Sequence, residues 1–193
     1  MIFFKTGKLT VRRLERHDKH LIIKWLSDNE VLQYYEGRNN PYDEEMVEEN
    51  FYCEDIDETR CIIEYSQTPI GYMQFYPVSE EGREEYGYAN FQETIFGTDQ
   101  FIGETKYWGQ GLGKVLMESI INFLITVKGA QKIVLDPQSW NKRAIKCYEK
   151  SGFIKIKILP KHELHEGELK DCWMMEYDTR NIVKAFCNSE IMN

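Results

Sequence analysis

The chain has 193 residues, 42% hydrophobic and 29% charged, with 32 acidic side chains against 24 basic ones and a formal net charge of -8. That length fits one domain with its own core, and 12 tyrosines with 4 tryptophans argue against disorder. The charge disfavours nucleic acid, whose phosphates call for a basic surface, and suits a cationic partner.

In chain order, Leu9–Leu14 reads as a first strand. His17–Leu26 is an amphipathic helix, with Leu21, Ile22, Trp25 and Leu26 at helical spacing. Asn29–Tyr35 is a second short helix, and the turn residues of Glu36–Pro41 make a loop. Asp43 is placed to cap a helix running to Tyr52. Strand texture follows: Arg60–Tyr65, a turn over Ser66–Pro69, then Ile70–Tyr76, together a hairpin. Residues 77–93 are polar, acidic and glycine-bearing, and read as a loop. Thr94–Ile102 is a strand with a single acid, Asp99. Gly111–Val127 is a strong helix whose Leu112, Val115, Leu116, Ile120, Phe123 and Leu124 share one stripe. Lys132–Asp136 is a short buried strand ended by Pro137, and Asn141–Lys150 is a helix closed by Ser151-Gly152. Phe153–Leu159 and Cys172–Tyr177 make a last pair of strands, and the tail after Thr179 reads as a helix. The sum is an α/β fold in one domain over 1–193, with at least two strand–helix–strand crossovers late in the chain.

Other features bound the class. The longest apolar runs, such as Ile120–Val127, are broken by Asn122 and Thr126 and are far too short to span a membrane. The opening Met-Ile-Phe-Phe-Lys lacks the charged segment and long apolar stretch of a secretory leader. The five cysteines (Cys53, Cys61, Cys147, Cys172, Cys187) have no C-x-x-C spacing, so reduced thiols in a cytoplasmic protein are expected, with no structural zinc. His162-Glu163-Leu164-His165 spaces its histidines by three, not the four of H-E-x-x-H, and no metal is expected there.

The most informative segment is Trp108-Gly109-Gln110-Gly111-Leu112-Gly113-Lys114, between a strand and a long helix. Glycines let backbone amides approach an anion, and the helix dipole adds positive potential, so this loop can cradle phosphate. It is no Walker A loop, because Val115 follows Lys114, and no G-x-G-x-x-G, because the last position is Lys114. The alternative is a turn whose glycines only permit close helix–sheet packing.

After the loop come Asp136-Pro137 and then Asn141, Ala144, Tyr148, Gly152 and Phe153, spaced N-x-x-A-x-x-x-Y-x-x-x-G-F. Loop and helix together resemble the GNAT acetyltransferase superfamily. The resemblance implies a single mixed, strongly twisted sheet flanked by helices, with acetyl-CoA as co-substrate and no metal. It places the pyrophosphate on Gly109, Gln110, Gly111, Leu112, Gly113 and Lys114, and the pantetheine arm along Gln100, Phe101 and Ile102. Asn141, Ala144 and Tyr148 would also contact the cofactor; Asn141 could equally be a plain helix cap. Trp108 departs from the family, which often has Gln or Arg there. Gly97–Gly103, Leu135–Pro137 and Pro160–Gly167 narrow the resemblance to aminoglycoside 6'-N-acetyltransferases, including the acetylating halves of bifunctional acetyltransferase–phosphotransferases. By that resemblance Tyr35, Asp136 and Asp171 are substrate contacts, and the Asp of G-x-D-Q, Asp99, lies beside the reacting amine.

The implied reaction is attack of an amine on a thioester. An alkylammonium, with a pKa of roughly 10, must first lose a proton. Asp99 is the expected general base or amine-orienting carboxylate; otherwise it ends a strand. Tyr148 can protonate the leaving thiolate, or it can be ordinary core. Residues 36–58 hold ten acids against one base, and Glu80, Glu81, Glu84 and Glu85 form a second run; both segments are expected to flank a cleft for a polycation such as an aminoglycoside, with only two or three of the acids touching ligand and the rest solvated. Protein N-termini, lysines or polyamines are alternative acceptors, and a non-catalytic acyl-CoA-binding module is the alternative to an enzyme.

Overall fold

The strand segments carry apolar side chains on both faces, and the fold covers both. The structure, a computed structural model, describes residues 1–53 and 57–179, so the expected tail helix lies outside the described residues. The described strands are β1 (Ile2–Thr6), β2 (Leu9–Arg13), β3 (Thr59–Tyr65), β4 (Thr68–Pro77), β5 (Ile95–Ile102), β6 (Lys132–Leu135), β7 (Ile154–His165) and β8 (Glu168–Asp178). They form one sheet in the order β1-β2-β3-β4-β5-β6-β8-β7. Only the β5–β6 pairing is parallel. The α-helices are α1 (Lys19–Trp25), α2 (Asn29–Leu32), α3 (Glu44–Phe51), α4 (Glu80–Tyr86), α5 (Leu112–Thr126) and α6 (Lys142–Lys150).

Period-two alternation sends neighbouring residues of one strand to opposite layers. Cys61, Ile63, Met73 and Phe75 pack under α5 with Leu116, Ile120 and Leu124. Ile62 and Tyr72 turn the other way, onto Ile22, Trp25, Val47 and Phe51 of α1 and α3. Each fully buried large side chain contributes about 1.5–3 kcal/mol, so the apolar stripe of α5 easily outweighs the roughly 1 kcal/mol forgone at its uncapped start. Buried Lys132 starts β6 paired with Glu176 at 2.8 Å and Asp178 at 3.0 Å on β8.

Several expectations are corrected. The hairpin turn is only Ser66-Gln67, both at positive φ (49° and 67°), which is the two-residue form matching strand twist; Thr68 and Pro69 already belong to β4. Residues 77–93 are not all loop, because α4 occupies Glu80–Tyr86. It buries none of its residues, so no apolar stripe marks it. Its ends do, with Ser79 Oγ accepting from Gly82 N and Gly87 closing it at φ 84°. β1 is additional, held to β2 and to Phe123 through Phe3 and Phe4. The last two strands run through Pro160–Gly167 instead of flanking it; Pro160 falls where the β7–β8 register shifts, so no ladder donor is missed.

The two late crossovers are present. β5–α5–β6 joins adjacent parallel strands. β6–α6–β7 joins strands that are both antiparallel to the intervening β8. No described helix is long and apolar enough to cross a membrane. The feature that positions chemistry is a divergence. β5 pairs with β6 only over Ile95–Gly97, while it stays paired to β4 as far as Ile102. From Thr98 onward its β6-facing edge has no strand partner, and a cleft opens at the carboxyl ends of the two parallel strands.

Candidate active site

The cleft has a volume of about 850 Å³ and divides by chemistry. One part is acidic. Alternation along β5 puts Asp99 on the α1–α3 face with Phe101, and Gln100 on the opposite face toward α6. Asp99 Oδ2 accepts from Gln74 Nε2 at 2.9 Å, its cross-strand neighbour on β4. The buried Tyr72 hydroxyl donates to Gln74 Oε1 at 2.7 Å, which fixes that amide with its NH₂ toward Asp99. Burial, then the nearby Asp136 charge, push the Asp99 carboxyl up to about 7, against the hydrogen bonds from Gln74 and Tyr76. An acid of that pKa both takes and releases a proton at neutral pH.

The cleft that Asp99 lines also holds Tyr35, whose ring lies 4.6 Å from Phe101, and three more acidic side chains: Glu36, Asp136 and Glu163. Glu36 sits at φ 66°, and burial raises its pKa, with the Glu163 charge adding to the rise. They come from four different elements of the chain. Sequence reading placed Glu36 only within an acid run and Glu163 only within the histidine motif; nothing local marks either as facing the cleft. Among the described acids of the 36–58 run only Glu36 lines the cleft, in keeping with the expectation that few of them touch ligand. Asp43 caps α3, Glu48 pairs with Arg16 and Lys19, and Glu58 pairs with Arg60. From the second run, Glu85 reaches His162.

The other part of the cleft is built for an anion. Gly109 and Gly111 have φ of 72° and 79°, and a Cβ at either would point into open space. No side chain caps α5, so its first amides remain available. Lys114 N is not one of them, since it donates to Gly111 O at 3.1 Å. Gly113 serves packing instead: a Cβ there would lie 3.2 Å from Cys147 Sγ on α6. Lys114, Arg143, Lys146 and Lys150 also line the cleft. The phosphates and pantetheine of a coenzyme A fit this donor set.

Tyr148 projects from α6, and its hydroxyl oxygen accepts from Gln100 Nε2 at 2.8 Å. Burial raises its pKa, so it keeps its proton, and accepting from Gln100 leaves that proton for another partner. Asn141 does cap its helix, accepting from Ala144 N at 3.1 Å. Trp108 Nε1 donates to Ile102 O at 2.8 Å, occupying a carbonyl that was expected to face the pantetheine. The Arg143 guanidinium lies 4.0 Å from the Trp108 ring centroid and 4.1 Å from that of Tyr34, tying α6 to the loops before it.

Two expected residues stand outside. Gln110 does not line the cleft; its side chain donates to Lys106 O. Asp171 is exposed and does not line the cleft either; its Oδ1 accepts from Lys161 N at 2.8 Å, steadying a β7 residue at φ 50°. His162 and His165 separate, His162 into the cleft and His165 into a buried contact with Trp140. Among the described residues no group of three or more His, Cys, Asp or Glu is placed to hold a metal ion.

Comparison with known proteins identifies the family of the fold. A family model described as an acetyltransferase (GNAT) domain matches residues 15–160. The aminoglycoside N(6')-acetyltransferase type 1 of Klebsiella pneumoniae is 28% identical over 148 residues, covering 75% of this chain and 73% of that protein. The spermidine N(1)-acetyltransferase of Vibrio cholerae is 25% identical over 167 residues, covering 86% and 90%. The crystal structure of aminoglycoside acetyltransferase AAC(6')-Ib with coenzyme A and kanamycin superposes with a TM-score of 0.73 at 25% identity, over 91% of this chain and 98% of that one.

Proposed function

The chain belongs to the GNAT acetyltransferases, and from that membership we propose that it acetylates the 6'-amine of aminoglycosides with acetyl-CoA, as one catalytic domain over 1–193. The observation that carries this reading is Asp99, held near neutrality beside Glu36, Asp136 and Glu163 in one cleft. A polycation of sugar rings meets there both charge partners and the aromatic face of Tyr35.

Acetyl-CoA, when bound, supplies an electrophilic thioester and a thiolate leaving group. Gly109, Gly111 and Leu112 amides would hold the pyrophosphate, with the α6 cations nearby. Asp99 takes the proton of the acceptor ammonium at a carboxylate oxygen and leaves a free amine to attack. Tyr148 gives its hydroxyl proton to the departing sulfur, while Gln100 holds the tyrosine oxygen in place. Asp99 and Tyr148 stand on opposite faces of β5, so base and acid approach the reaction from two sides. Asp136, Glu36 and Glu163 bind the remaining ammoniums, and Asp171 is left out of the contact set.

The relative from Vibrio cholerae named for spermidine favours a second reading, in which a linear polyamine fills the same acidic cleft. Incubation with acetyl-CoA and kanamycin, spermidine or a lysine peptide, following thiol release, separates the two. Release with kanamycin supports the first reading. Release with spermidine alone establishes the second, and coenzyme binding without release to any acceptor overturns both.

A further inference from the structure

His162 is a cleft residue that neither step of the proposed chemistry uses. Its imidazole is clamped between two carboxylates, Nε2 lying 2.8 Å from Asp136 Oδ2 and Nδ1 2.9 Å from Glu85 Oε1. Ionised carboxylates only accept, so a neutral ring would set one bare nitrogen against an oxygen. The arrangement calls for imidazolium. Asp136 Oδ2 also accepts from the Tyr86 hydroxyl at 2.9 Å. The acceptor carboxylate Asp136 is therefore already engaged by a cation that the protein itself provides.

We propose that His162 is a built-in competitor for Asp136: it stands in for a substrate ammonium in the free enzyme, and acceptor capture is coupled to loss of its proton. This rests on reading the acidic cleft as the polycation site. The charged and titratable groups around His162 are Asp136 from the β6–α6 connection, Glu85 and Tyr86 from α4, and Glu163 next to it on β7, with Asp99 and Tyr76 coupled to Asp136 from β5 and β4. Lys157 Nζ donates to the Glu85 carbonyl at 2.7 Å rather than to its carboxylate. His162 is the cation bridging the two acids from α4 and the β6–α6 connection. Its hydrogen bond to Asp136, above all, holds its pKa over the ordinary histidine value against partial burial.

The sign follows by linkage. Below that raised pKa the imidazolium occupies Asp136. As pH rises through it, the ring loses its charge and keeps a single N–H, so Asp136 loses its cationic partner while the substrate amines are still ammonium. Acceptor binding in turn expels the proton, because coupling is reciprocal. Strict competition weakens acceptor binding by up to about tenfold for each pH unit below the pKa.

The test is KM for the acceptor that turns over, kanamycin or spermidine, from about pH 6 to about pH 8.5 in wild type and His162→Gln. Wild-type KM should fall about five- to tenfold across the range. In His162→Gln it should start low and follow a flatter profile, with KM for acetyl-CoA matching wild type at each pH. Asp99 titrates in both proteins, so the test reads the difference between the two profiles. Parallel KM profiles overturn the proposal. A second readout needs no turnover: NMR titration of the His162 ring, with and without spermidine and in Asp136→Asn. Spermidine and Asp136→Asn should each lower its pKa, and an unmoved pKa in both overturns the clamp. Absence of wild-type turnover on either acceptor is failure of the functional reading instead, and leaves the Asp136→Asn titration to decide the clamp.

Discussion

Asp99→Asn is expected to make the protein more stable and nearly inactive at once. The Asp99 carboxyl rises from an ordinary 3.8 to about 7 in the folded protein, chiefly through burial. An acid raised in the folded state ionises first in the unfolded chain. Its penalty is absent below the unfolded value, grows as pH rises toward the folded one, and is then constant. At about 1.4 kcal/mol per pH unit the full penalty approaches about 4 kcal/mol, and the cleft solvent that still reaches the side chain trims it to about 2–4 kcal/mol. Asparagine removes the ionisation and can still accept from Gln74. In a chain of this size that amounts to a rise in Tm of about 4–16 °C above pH 7. Melting curves from about pH 5 to about pH 8.5 should show the advantage of Asp99→Asn growing with pH and levelling off beyond 7. Thiol release should meanwhile fall by roughly 10²–10⁴-fold, the usual share of a general base. In wild type, kcat/KM should rise with pH through an acid limb near 7. A variant less stable than wild type at the alkaline end, or one that keeps turnover, refutes the assignment.

Tyr148→Phe should cut kcat by about 10²-fold while leaving coenzyme A affinity within about threefold, measured by calorimetry beside steady-state rates. Gly111→Ala places a side chain at φ 79° and fills the approach to the α5 amides; coenzyme A binding should weaken more than tenfold, for about 1–2 kcal/mol of folding stability. Gly71→Ala drives a Cβ to 2.3 Å from Phe101 O and 2.9 Å from Ile102 Cα, so the β4–β5 ladder must part; soluble yield or Tm should collapse. Glu36→Gln should raise the acceptor KM about five- to tenfold at low salt, with the difference shrinking as ionic strength rises and acetyl-CoA KM unchanged.

How far the sequence carried depends on the range of the signal. Asp43 as a cap, the α5 stripe, the pairing of β3 with β4 and the position of the glycine loop are set within a few residues and appear where they were expected, while Asn141 forms the cap that was the alternative to a cofactor contact. α4 was missed because it buries nothing, although Ser79 and Gly87 announce its ends. For Trp108 the family pattern left no role, and only the structure shows its indole on Ile102 O and its ring under Arg143.

Taken alone, the amino-acid sequence determined an α/β chain with a glycine-rich turn suited to an anion, a single acid on the strand before it and a tyrosine on the helix after it. Those are local patterns, and local physics suffices to read them. Which acids converge was decided only by the fold. Glu36, Asp99, Asp136 and Glu163 are far apart in the chain and meet because β5 and β6 part after Gly97 and leave a cleft between them. The neutral-range pKa of Asp99 is likewise tertiary, since it arises from burial and from the charge of Asp136, contributed by the β6–α6 connection. Charge count is additive along a sequence, but desolvation and Coulomb energy depend on distance, and distance exists only once the chain has folded.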